Sequence, residues 1–108
     1  MGSKKEMADQ GFPKHWWPKL FNQVRAEHNR QIKKWGHQIH HGQTWMGILG
    51  KEIGELHEAM NNYCMDAGSP EYIEVQLQNV IDEAVQVSTL ALKIASMAMY
   101  KLERKNYG

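Results

Sequence analysis

Glu52 and Glu55 stand three residues apart, and Glu83 and Gln86 repeat that spacing further along the chain. Residues three apart share one face of a helix, so each pair can offer its side-chain oxygens in one direction. At about 100° per residue, Glu52 falls beside the apolar stripe of Trp45, Leu49, Ile53, Leu56, Met60 and Tyr63. Glu55 sits at the border of that stripe, and Glu58 points further out. The second pair repeats the anomaly: Glu83 lies between Val87 and Leu90 on its wheel, with Asn79 and Gln86 along the same edge and Asp82 facing away. A Glu-x-x-Glu pair alone is also the ordinary pattern of a solvated, salt-bridged face. Its position at an apolar face gives it weight, because an uncompensated carboxylate in a low-dielectric setting costs several kcal/mol. A divalent cation offsets that cost. Mg²⁺, with Mn²⁺ as a substitute, takes oxygen ligands, keeps water and commonly joins a few carboxylates to phosphates.

Three helices must position these groups. The first runs over 18–35, from Pro18 at a favoured first-turn position to Gly36 as C-terminal breaker, after an irregular aromatic lead-in from Phe12 to Trp17. Leu20, Phe21, Val24, His28, Ile32 and Trp35 give it one apolar face, on which His28 is expected as a core residue. A loop over 36–42 leads to a second helix at 43–64, and Asp66 to Ser69 closes a turn. Ser69 and Pro70 form an N-cap and first-position pair opening a third helix over 70–102. Its length allows a break near 78–81, although no glycine or proline marks one. Met46, Met60, Met97 and Met99 read as core filler. With no alternating β-branched run, the fold class is all-α. So much apolar surface on so short a chain calls for a bundle completed by another copy, a homodimer or homotetramer.

Composition narrows the function classes. A chain of 108 residues holds one domain, expected over 13–108 behind a disordered tail at 1–12. The net charge of +1, with basic residues spread along the chain, leaves no footprint for long nucleic acid or for a helical DNA-binding adaptor. The single cysteine, Cys64, and the polar first residues, which do not resemble a secretory signal, fit a reducing cytoplasm. Ala84 to Tyr100 is the longest apolar region, but Gln86, Ser88, Thr89, Lys93 and Ser96 interrupt it, so it reads as a buried helix and no membrane segment is expected.

Gly50-Lys51-Glu52-Ile53-Gly54-Glu55-Leu56-His57-Glu58-Ala59 resembles the first motif of the MazG-like family of all-α nucleoside triphosphate pyrophosphohydrolases, a Glu-x-x-Glu whose second glutamate lies in Gly-Glu-Leu. Glu83-Ala84-Val85-Gln86-Val87 resembles the second motif, usually Glu-x-x-Asp, with Gln86 at the aspartate position. Arg30 to His40, with Trp45 beyond, is similar to a short subgroup of phages and mobile elements that also tends to carry Gln there. The resemblance covers roughly residues 20 to 100. It implies a MazG-like bundle in which Glu52, Glu55, Glu83 and Gln86 hold Mg²⁺. It also implies cleavage of a nucleoside triphosphate between the α and β phosphates, service in clearing nucleotide pools, and Glu52 or Glu55 as general base. Gln86 supplies a neutral carbonyl where a carboxylate is usual, which lowers the site's charge and its metal affinity.

On that reading the substrate's phosphates need cations, and Arg30, Lys33, Lys34 and Lys93 are available. Trp35 and Trp45 flank the loop before the second helix and offer indoles for stacking, while Gln31, Gln38 and His40 could read base or sugar edges. The lysines also suit a solvated surface, and each tryptophan suits a core. His37, His40 and His41 lack the cysteine or second histidine cluster that a zinc site would need. The alternative is a non-catalytic helical module that binds a nucleotide or protein with a weakened metal site.

Overall fold

A computed structural model describes residues 14–36, 40–65 and 68–105. All regular structure among them is helical. A 3₁₀ turn at Lys14–Trp16 leads into α1 (Trp17–Trp35), followed by α2 (Gly42–Met65) and α3 (Pro70–Arg104). The tail expected to be disordered lies outside the described residues, as do His37, Gln38 and the first half of the Asp66 to Ser69 turn.

The helix ends follow from local chemistry. Gly36 closes α1 at φ 72°, a left-handed conformation that costs glycine no Cβ clash, and its N–H donates to the Ile32 carbonyl at 2.7 Å. Ser69 caps α3 from an extended conformation, its Oγ accepting from the Tyr72 N–H at 3.3 Å, with Pro70 in the first turn. Lys105 ends α3 at φ 53°. The break allowed for at 78–81 is absent: α3 is continuous there, and Gln78 donates to Asp82 one turn on at 2.9 Å. Nothing in that segment removes a backbone donor, so the helix has no reason to interrupt.

The long α3 is the common partner. Both α1 and α2 pack along it, and no close backbone approach joins α1 to α2 among the described residues. Thr89, 1% exposed, marks the α1–α3 contact: its Oγ1 donates to the Val85 carbonyl within α3 and lies 3.5 Å from the Val24 carbonyl of α1. The apolar side chains buried among the described residues are Trp45, Ala59 and Leu90.

The apolar stripes are rotated from the sequence expectation. Ile53 and Met60 are exposed on α2, whereas Ile48, Leu49, Glu52, Glu55, Leu56, Ala59 and Tyr63 turn inward. Met46 and Met99 are exposed as well, and Met97 is half-buried, so the methionines do not fill a core. Within one chain, α2 has a single neighbouring helix, and a stripe wide enough for two leaves one edge uncovered. No helix among the described residues is long and apolar enough to cross a membrane.

Candidate metal centre and adjoining pocket

Glu52 and Glu55 project from α2 one turn apart, and α3 brings Glu83 to meet them. Each of the three offers a carboxylate oxygen, and these oxygens all lie within 4.8 Å of one another. The three side chains are half-buried, and Oε2 of Glu52 and Oε2 of Glu83 are fully enclosed without a hydrogen-bond partner. Enclosed carboxylate oxygens without donors are costly.

The electrostatics register the same crowding. Burial holds the Glu52 carboxyl above the ordinary carboxylate range, reinforced by the charges of Glu55 and Glu83. Burial likewise raises Glu83, with Glu55 the next contributor and then Asp82 and Glu58. Lys51 opposes the shift at Glu52 only weakly. Burial and like charge thus both oppose ionisation of Glu52 and Glu83.

A divalent ion fits this observation. Hard oxygen donors from two helices converge, and two of their atoms are orphaned. Arg30 Nε donates to Glu27 Oε2 at 2.7 Å, and Lys93 Nζ donates to Gln31 Oε1 across the α1–α3 contact.

Beside the cluster lies a pocket of about 210 Å³ to which all three helices contribute: Arg30, Gln31 and Trp35 from α1, Trp45, Ile48 and Glu52 from α2, Gln86, Leu90 and Lys93 from α3. The structure thus brings together Arg30, Gln31, Trp35, Trp45 and Lys93, five of the residues expected on the substrate side, with Glu52 and Gln86 of the metal set. Lys33 and Lys34 lie on the exposed side of α1 outside this lining, Lys34 with its ammonium 4.7 Å from the Trp35 ring. His40 packs edge-on against Trp45, centroids 4.8 Å apart, and borders a second, apolar groove instead. His28 lines that groove too, half-buried, in place of the core position expected of it.

Trp45 is 4% exposed, yet its indole N–H is buried without an acceptor. The Trp35 ring is half-exposed, and the Arg30 guanidinium lies 5.8 Å from its centre. Desolvation lowers the Lys93 ammonium from its ordinary range; Glu27 pulls the other way and the Arg30 charge adds to the lowering. Sequence reasoning missed Ile48 and Leu90, the apolar floor of the pocket. Each stands one turn from a site residue, Ile48 before Glu52 and Leu90 after Gln86, so the four-residue spacing was the available signal.

No family model, curated protein or solved structure matches the chain.

Proposed function

We propose that this chain is a Mg²⁺-dependent nucleoside triphosphate pyrophosphohydrolase of the MazG-like type, converting a (d)NTP to (d)NMP and pyrophosphate. In this reading it works as a homodimer or homotetramer in the cytoplasm and serves nucleotide-pool clearance. The reading is carried by one observation: Glu52, Glu55 and Glu83 converge from two helices with two enclosed oxygens lacking donors. The motif resemblance around these glutamates supports it, and the free Cys64 suits the compartment.

Glu52, Glu55 and Glu83 hold the ion, with the Gln86 side-chain carbonyl as a fourth candidate ligand. A bound divalent ion supplies charge neutralisation for the triphosphate and makes water easier to deprotonate. The chain's own groups do the rest. Water adds to phosphorus at the α–β anhydride, the bridging P–O bond breaks, and the water's proton passes to Glu52 or Glu55. Glu52 and Glu55 offer oxygens within 4.8 Å of one another, so either can reach the same water.

Lys93 and Arg30 face the phosphates, Lys93 with the larger effect because Glu27 already engages the guanidinium. The Trp35 indole gives a face for the base, the unpartnered Trp45 N–H a donor, and the Gln31 and Gln86 amides both donors and acceptors. At about 210 Å³ the pocket is smaller than the roughly 300 Å³ at which whole small ligands begin to be enclosed, so it takes one part of the nucleotide.

The test is a panel of deoxy and ribo triphosphates with Mg²⁺, read as pyrophosphate release. Wild type is expected to release pyrophosphate, and Glu52→Gln and Glu83→Gln to abolish it. Equal release from both variants would assign the activity to a contaminant. Gln86 favours a second reading, a module that binds nucleotide without cleaving it, because a neutral amide stands beside Glu52. Tight nucleotide binding with no pyrophosphate from any substrate would select that alternative.

A further inference from the structure

The indole N–H of Trp45 is enclosed without an acceptor in a side chain only 4% exposed. A buried donor left unpaired destabilises a fold, and a phenyl ring would fill apolar space there without that cost. The acceptor this N–H lacks has to arrive with a ligand. We propose that Trp45 and Gln31 set the base specificity of the pocket: their N–H groups donate to an exocyclic carbonyl, selecting a base with oxygen at pyrimidine C4 or purine C6 over one with an amino group there. The inference rests on the nucleotide reading of the pocket and adds the base, which that reading leaves open.

Position supports it first. Trp45, Ile48 and Glu52 line the pocket from one face of α2, and the seven residues from Trp45 to Glu52 span two turns, about 10 Å of rise. Trp45 therefore stands away from the metal centre, where a nucleoside held by its phosphate at the glutamates places its base. Gln31 lines the same pocket one turn before Trp35 on α1.

The polarity of these groups points the same way. Lys93 Nζ donates to Gln31 Oε1, which ties down the acceptor end of that amide and leaves its N–H groups to give. Trp45 can only donate. The acceptors lining the pocket, Glu52 and Gln86, belong to the metal set, and the carboxylate of Glu27 on α1 is taken up by Arg30 outside the lining. A carbonyl completes this arrangement, whereas an amino group would set donor against donor.

Stacking cannot make that distinction, because every base has a π-face to lay on the Trp35 indole. Choice falls to the polar edge. There the Trp45 ring is already held, packed edge-on by His40 with centroids 4.8 Å apart, so its donor is oriented before a substrate arrives.

The experiment uses the purified full chain with Mg²⁺ and two matched pairs, dUTP against dCTP and dITP against dATP, in which an exocyclic oxygen replaces an amine. kcat/KM is expected to favour the carbonyl member of each pair by about tenfold or more. Trp45→Phe and Gln31→Leu should each narrow both ratios by raising KM for the carbonyl substrate. Independently of any variant, 4-thio-dUTP, whose sulfur accepts weakly, should fall toward dCTP. Equal or inverted ratios in wild type would overturn the inference and leave the hydrolase standing, as would ratios unmoved by both variants or 4-thio-dUTP matching dUTP. If no substrate yields pyrophosphate, calorimetry with the α,β-imido analogues of dUTP and dCTP decides separately. Preference for the uracil analogue then upholds the base reading against the hydrolase, and equal or absent binding overturns both.

Discussion

Glu52 on α2 and Glu83 on α3 each enclose a carboxylate oxygen that accepts no hydrogen bond, and with Glu55 they present oxygens within 4.8 Å of one another. Two half-buried acids so placed repel each other in the chain alone and become partners around a cation.

Neutralising one of them should therefore have opposite effects with and without metal. Glu83→Gln removes a like charge and is expected to stabilise the metal-free chain by roughly 1 kcal/mol, read by chemical denaturation. The same variant should lose the rise in melting temperature that Mg²⁺ gives the wild type.

The pH dependence has a definite sign. Glu52 and Glu83 have folded-state pKa values raised above the ordinary carboxylate value of 4.5, so the folded chain binds protons that the unfolded chain has released. Their contribution is fully present below about pH 4.5 and is lost as pH rises through the higher folded values. Melting scans should show these carboxylates favouring the metal-free fold at mildly acidic over neutral pH, and Mg²⁺ should stabilise more at pH 8 than at pH 5. The opposite ordering for Mg²⁺ would contradict proton–metal competition at this site.

Placing a carboxylate at position 86 should tighten the site. Gln86→Asp adds an anionic oxygen beside Glu52, and calorimetric titration should show stronger Mg²⁺ binding together with a less stable metal-free fold.

Trp45 separates packing from hydrogen bonding. Trp45→Ala should cost about 3–5 kcal/mol, the range for a buried large aromatic. Trp45→Phe should cost much less, because the lost indole N–H has no acceptor in the folded chain. If that N–H serves the nucleotide, Trp45→Phe raises KM while urea unfolding changes little.

Helix boundaries were legible because backbone chemistry writes them locally: Pro18, Gly36, Ser69 and Pro70 stand at or next to the ends observed. The glutamate cluster was legible too, since carboxylates at an apolar helix face are an anomaly visible on a wheel. Rotation was not. Ile53 and Met60 fit the α2 stripe by spacing, yet which edge of a stripe is covered depends on where α3 lies, a relation no local pattern encodes. The separation of Lys33 and Lys34 from Lys93 has the same origin: all three are lysines near the motif, and only the crossing of α1 and α3 decides which one lines the pocket with Glu52.

Uptake of Mn²⁺, followed by the loss of its free-ion electron paramagnetic resonance signal, addresses the convergence of the three glutamates most directly. Wild type should bind Mn²⁺ saturably and release it to excess Mg²⁺, whereas Glu52→Gln combined with Glu83→Gln should leave the free-ion signal intact. Equal uptake by wild type and the double variant would contradict the metal centre on which the proposed hydrolase rests.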